Sequence, residues 1–315
     1  MSELVVFKAN ELAVSRYDLT EHETKLILCC VSLLNPTIEK PQRADRTITF
    51  TYQQYAEIMG ISRENAYGAL AKATRNLMTR TVEIQDPLVN GFEIFQWTNY
   101  AKFSSEKLEL VFSEEILPYL FQLKKFIKYN LEHVKSFENK YSMRVYEWLL
   151  KELTQRKTYK ANIEISINEF KFMMMIEKKY KEFKTLNRDV LKQVNNDINT
   201  HSDMRLVIEK SGRPANTLIF QVELDQQMDL VKELSHDEVK RTKKIIKDQE
   251  SVGNDLHDEL QKTLIAAEQM QIHLSAFENQ FLIDMDSKYK LNGSFSWLTP
   301  KQRTTLVNIL TKYKK

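Results

Sequence analysis

The chain has 315 residues, 42% of them hydrophobic and 28% charged, and its 46 Lys and Arg against 43 Asp and Glu leave a net charge of +3. This is ordinary globular composition, enough for two or three packed domains. No stretch approaches the roughly 18 apolar residues of a membrane span, and residues 1–10 lack the basic start and apolar run of a signal peptide. A cytoplasmic protein with no membrane partner is expected.

The charge is unevenly spread. Residues 1–120 hold 12 basic and 16 acidic side chains, residues 121–225 hold 20 and 14, and residues 226–315 hold 14 and 13. A nucleic-acid partner is therefore sought first in the middle third.

Thr20 and Glu23 have capping-box spacing, and Leu26, Ile27, Cys30, Leu33 and Leu34 follow at helical intervals up to Asn35-Pro36. Cys29 and Cys30 are adjacent on this apolar helix and read as buried free thiols. Thr47–Thr51 is a short β-branched strand. Tyr52–Met59 reads as a helix that Gly60 ends. Ser62 then caps a longer helix with Ala66, Leu70, Ala73 and Leu77 on one face. Helix, tight glycine turn and helix make a helix-turn-helix pattern. Thr81–Gln85, Phe92–Phe103 and Lys107–Phe112 read as the strands of a β-wing, and a short helix near Ser113–Leu120 closes the unit.

The same order returns. Tyr141–Leu153 is an apolar-striped helix, Asn162–Ile167 a strand, Asn168–Met175 a short helix and Glu182–Asn199 a longer one. Met204–Glu209 and Thr217–Leu224 flank Ser211-Gly212-Arg213-Pro214, a hairpin with a basic tip. Thr47 corresponds to Asn162 and Gln53 to Asn168, a repeat of structure and not of letters. The fold expected is α+β: a winged helix at 1–120, a second at 121–225, a charged linker helix at 226–262 and a small helical module at 263–315. In that module Phe277, Phe281, Met285 and Tyr289 form a stripe, Leu291–Leu298 is a turn, and Thr299-Pro300 opens a last helix.

Glu182–Asn199 carries the functional signal. Leu186, Val190, Val194 and Ile198 form its buried stripe. Lys184, Arg188 and Lys192, continued by Asn195 and Asn199 and preceded by Lys181, lie roughly opposite. Lys and Arg grip phosphates, Arg reads guanine and Asn reads adenine. The wing adds Lys210 and Arg213. The plainer reading is a solvated surface face. The helix-turn-helix order and the basic wing favour double-stranded DNA. In the first unit Arg63, Asn65, Lys72 and Arg75 are the equivalent outward residues. Gly68 sits mid-helix at a cost of about 1 kcal/mol unless a neighbouring helix or a DNA backbone comes close. This acidic unit is expected to serve in subunit contact as well as DNA contact.

Enzymatic readings fail on inventory. The six glycines lie at 60, 68, 91, 212, 253 and 293, so no phosphate-cradling loop is present. The histidines form no HxH or HExxH pair, and no Cys/His spacing suits a metal. Tyr141, Tyr146 and Tyr180 read as packing residues and not as nucleophiles. No catalytic residue, metal or cofactor is expected.

Lys140–Leu150 reads KYSMRVYEWLL and resembles a helix of the iteron-binding plasmid replication initiators. EFKTLNRDVLKQVNNDIN at 182–199 resembles that family's recognition helix, MRLVIEKSGRPANTLIFQV at 204–222 its wing, and Asn10–Leu34 its opening. The resemblance spans about residues 8–224. It implies binding to tandem origin iterons as a monomer and to an inverted operator as a dimer that represses its own gene. It also implies contacts with host replication proteins and chaperones. It places Lys181, Lys184, Arg188 and Lys192 on the DNA-reading surface, and Arg144 in a Met-Arg motif as a phosphate contact or a structural support. The chain departs from the family at Lys184-Thr185, where F-type members have clustered arginines. Two other functions remain open: a dedicated winged-helix transcriptional regulator and a protein-binding scaffold.

Overall fold

The structure, a computed structural model, describes residues 4–86, 90–104, 106–225, 257–267, 269, 274–292 and 300–313. It opens with β1 (Val5–Ala9) and a short helix α1 (Asn10–Val14), neither announced by the sequence. Thr20 then caps α2 (Glu21–Ser32): its hydroxyl accepts the Glu23 N–H, and the Glu23 carboxylate accepts the Thr20 N–H at 3.0 Å. Cys29 and Cys30 are buried free thiols on this helix, and burial pushes both thiols up. Next come β2 (Thr47–Thr51), α3 (Tyr52–Met59) and α4 (Arg63–Leu77). Gly60 ends α3 at φ +66°, left-handed backbone that favours glycine. Ser62 caps α4.

The run Phe92–Phe103 is two strands and not one. β3 (Thr81–Asp86) pairs with β4 (Gly91–Gln96) in a hairpin of its own, and its Glu83 also makes an isolated bridge to Arg16. β5 (Thr98–Ser104) joins β6 (Lys107–Phe112) and β2 in the sheet β2-β6-β5, the wing of the first unit. The break falls at Trp97, which is wholly buried and meets Tyr17 edge-on at 5.3 Å. Burying that indole redirects the chain between the two sheets. The helix expected near 113–120 is a single 3-10 turn at Leu117–Tyr119.

β7 (Phe126–Asn130) returns to pair antiparallel with β1. The boundary read at 120/121 does not coincide with this pairing, because residues 126–130 are hydrogen-bonded to the start of the chain. After α5 (Glu132–Lys135), helix α6 (Lys140–Arg156) runs between the units, with Tyr141 through Leu150 all buried. It packs on α1, α2 and β7 on one side and on β8 and α9 on the other. The second unit is β8 (Lys160–Ser166), α7 (Ile167–Met173), α8 (Phe183–Leu186), a π-helical segment Asn187–Leu191, α9 (Lys192–His201), β9 (Met204–Ser211) and β10 (Thr217–Leu224). Its sheet order is β8-β10-β9.

Residues 226–256 of the expected linker helix and the turn read at 291–298, from residue 293 on, lie outside the described residues. Residues 257–267 are helical (α10) and are not a free linker. With α11 (Ala276–Asn292) and α12 (Pro300–Tyr313) they form a separate core of Leu260, Leu282, Met285, Leu306, Ile309 and Leu310. Phe281 and Tyr289 pack against it. Phe277 does not: it is 66% exposed, and Leu282 takes the inner position instead. Among the described residues no helix is long and apolar enough to cross a membrane.

Candidate nucleic-acid interface

Leu186, Val190, Val194 and Ile198 are each fully buried. A strict four-residue repeat drifts about 40° per step on a 3.6-residue helix. The wider i→i+5 turn of the π segment takes up that drift and keeps one stripe on the core. Asp197 fastens the helix to the α6 N-terminus: its carboxylate accepts from the Ser142 hydroxyl at 2.6 Å and the Asn139 and Glu138 N–H groups at 3.0 and 3.2 Å.

The outer face of the same helix presents Lys184, Arg188 and Lys192, and Lys181 stands just before its start; all four are exposed. The Arg188 guanidinium donates twice to the neighbouring Asp189 carboxylate, at 2.5 and 2.9 Å. That pairing holds Asp189 below the usual carboxylate range. It also holds the guanidinium fork at the surface, so a base or phosphate would compete with Asp189 for it. Asn195 is half-buried, and its carboxamide oxygen has no partner among the described residues. Asn199 is committed elsewhere: it donates to the Leu206 carbonyl at 2.8 Å and accepts the Leu206 N–H at 3.0 Å, tying helix to wing.

In the wing, Lys210 and Arg213 are exposed. The Lys210 ammonium stands 4.9 Å from the centre of the Phe183 ring, which brings the wing's base beside the start of the helix. Gly212, at φ +93°, forms the tip, and a Cβ there would collide with the Asn216 side chain. The tip conformation is therefore reserved for glycine.

In the first unit Ala66, Leu70, Ala73 and Leu77 face the core, while Arg63, Asn65, Lys72 and Arg75 are exposed. Gly68 lies on that outer face, and a Cβ there would meet nothing within 4 Å. Among the described residues no neighbouring helix explains this glycine. Tyr67 beside it is 47% exposed.

Arg144 is a correction to the sequence-derived set. It is 4% exposed and lies away from every surface that could meet a phosphate. Its guanidinium donates to the carbonyls of Ser15, Tyr17 and Met173 at 2.7, 2.9 and 2.6 Å and covers the Tyr17 ring at 4.2 Å. These contacts make it a support of the junction between the units. Arg16, which sequence reading passed over, reaches the same junction. Nothing in its local sequence marks it, because its partners Glu83, Phe172 and Glu177 are remote in the chain. Among the described residues no cluster of His, Cys, Asp and Glu is arranged to hold a metal.

Two helix-turn-helix units, each followed by a β-wing and each with a polar outer face on its second helix, define a tandem winged-helix DNA-binding protein. Residues 5–151 match the family described as "Initiator Replication protein, WH1", and residues 166–222 match "Initiator Rep protein, WH2". A "Replication initiation protein" of Escherichia coli is 73% identical over 313 residues, 99% of each chain. The solved structure of the Pi initiator protein in complex with iteron DNA has a TM-score of 0.57 and 20% identity, covering 72% of this chain and all of that one, a likeness of fold. The chain belongs to the replication initiator protein family.

Proposed function

We propose that the protein acts in the cytoplasm as a plasmid replication initiator that binds iteron repeats at its origin and represses its own gene at an operator. It works by binding and not by catalysis. The second unit is the main reader, through Lys181 just before the helix, Lys184, Arg188, Lys192 and Asn195 on the helix and Lys210 and Arg213 on the wing. The first unit adds Arg63, Asn65, Lys72 and Arg75. The observation that carries this reading is the row of three exposed cations on one helix face, preceded by Lys181 and continued at the wing, over a fully buried opposite stripe. Membership of the initiator family decides against a dedicated regulator or a protein-binding scaffold. Footprinting on the plasmid's own origin tests it: protection of tandem repeats is expected, and no preference over random duplex would refute it.

Arg188→Ala is expected to leave the melting temperature unchanged, because the side chain is 71% exposed. It should cost about 1–3 kcal/mol of iteron affinity if Arg188 reads a base. Gel shifts at fixed salt check this, and unchanged affinity removes Arg188 from the interface.

A monomer–dimer equilibrium fits the β3–β4 hairpin. Among the described residues β4 is paired along one edge only, and Phe92 and Ile94 are 62% and 54% exposed on one face. A free edge beside exposed apolar side chains invites a second copy of the strand. Phe92→Lys should shift the protein to monomer in sedimentation without loss of folding. An unchanged dimer fraction would place the contact elsewhere. Host replication proteins and chaperones complete the expected partners.

A further inference from the structure

Two short segments meet where the winged units join: residues 15–18, between α1 and α2, and residues 172–177, at the end of α7. Arg16 lies between them. Its backbone is bridged to Glu83 of β3, each N–H donating to the other's carbonyl at 2.8 Å. Its guanidinium serves both units at once. Nη1 meets the Glu83 carboxylate at 2.7 Å on the side of the first unit. On the side of the second, Nη2 meets Glu177 at 2.5 Å, Nε donates to the Phe172 carbonyl at 3.1 Å, and the group stacks 3.8 Å from the centre of the Phe172 ring. A second tie runs alongside, from Lys140 to Asp18 at 2.5 Å. A lysine at 16 has no planar fork with which to serve all of these partners.

The position of this tie matters. α7 is the first helix of the second helix-turn-helix, and the exposed cationic row lies on the helix that follows it. Where the end of α7 is held relative to β3 sets where that row stands relative to α4. We propose that Arg16 is a positioning residue for DNA recognition: it locks the two reading surfaces at one separation, so that both engage a single duplex in one register. This rests on the reading that both units grip the same duplex. A pre-set pair meets the second half of its site at high effective concentration, whereas a loosened pair must be ordered on the DNA.

The test uses full-length protein with spin labels at Glu64→Cys on α4 and Gln193→Cys on α9, both exposed positions. Cys29 and Cys30 are buried with thiols pushed up, so the label spares them. Label-to-label distances are measured without DNA, and affinity and footprint are measured on the origin repeat. Arg16→Ala should broaden the distance distribution and lower affinity at least about tenfold. Protection should be lost over one unit's contacts and kept over the other's, with Arg16→Lys intermediate. Glu177→Gln removes only a partly exposed partner, so it tests the same tie if Arg16→Ala does not fold, and it should broaden the distribution to a smaller extent. Distances as narrow as wild type would overturn the proposal. So would broadening with unchanged affinity, or a uniform loss of protection over both units. A wild-type footprint confined to one unit would overturn it through the two-unit reading it rests on, and the label distances separate that failure from failure of the tie.

Discussion

Replacing Glu147 with Gln is expected to cost about 3–5 kcal/mol of stability, the usual cost of stranding one member of a buried ion pair. Lys8 of β1 and Glu147 of α6 meet at 2.7 Å with side chains 1% and 2% exposed, and the Tyr129 hydroxyl donates to the same carboxylate at 2.6 Å. Burial works against the charge on Lys8, but Glu147 and Tyr17 more than offset it and leave its pKa raised. A raised lysine pKa stabilises the fold below that value for as long as the carboxylate partner is ionised, and the contribution is lost as pH climbs through the raised value. In Glu147→Gln the burial penalty stands alone and the Lys8 pKa drops. The deficit against wild type should therefore be largest near neutral pH, where both partners are charged, and narrow toward alkaline pH as Lys8 deprotonates and toward acid pH as the carboxylate is protonated. At neutral pH the melting temperature should fall by roughly 10 °C. A fall of under about 2 °C, or a deficit that widens from neutral to alkaline pH, would contradict this account of the core.

Arg144→Ala should be comparably severe, at about 3–5 kcal/mol, because it leaves the buried carbonyls of Ser15, Tyr17 and Met173 without their donors. The dependence of DNA affinity on salt should be unchanged in the folded variant. A phosphate contact would behave in the opposite way, flattening the slope by about 0.9 with no change in melting temperature. Thermal melts and salt titrations on the same preparation distinguish the two.

Local chemistry was legible in the sequence, and long-range pairing was not. The Thr20–Glu23 box, the Thr47–Thr51 strand, the Gly60 stop and the Ser62 cap depend on neighbours within a few residues, and they stand where their spacing placed them. The stripe Leu186, Val190, Val194 and Ile198 was likewise readable from periodicity, although the π segment that keeps it in line was not. β1 was missed because five apolar-rich residues become a strand only through β7, more than a hundred residues away. Trp97 sits inside an unbroken β-like run, and only its burial against Tyr17 reveals the break.

KYSMRVYEWLL was the most recognisable string, and it serves the fold. Ser142 binds Asp197 of α9, Arg144 holds the junction, the Tyr146 hydroxyl donates to Asp203 at 2.8 Å, Glu147 pairs with Lys8, and Trp148 meets Phe220 edge-on. A buried helix shared by two units constrains nearly every side chain it carries, whereas an exposed row is held by few contacts within the chain. Of the two roles the resemblance left open for Arg144, phosphate contact or structural support, its burial fits the second, whereas the cations of the following helix and wing are exposed.

The most direct test of the DNA surface is a salt titration of iteron binding by wild type and by a variant with Lys184, Lys192, Lys210 and Arg213 all changed to Ala. These four side chains are exposed, so the variant should melt as wild type does. If they contact phosphates, the slope of log affinity against log salt should flatten by about 3.6, and most of the affinity at low salt should be lost. A folded variant with the wild-type slope and affinity would contradict the account and move the DNA surface off the second winged unit.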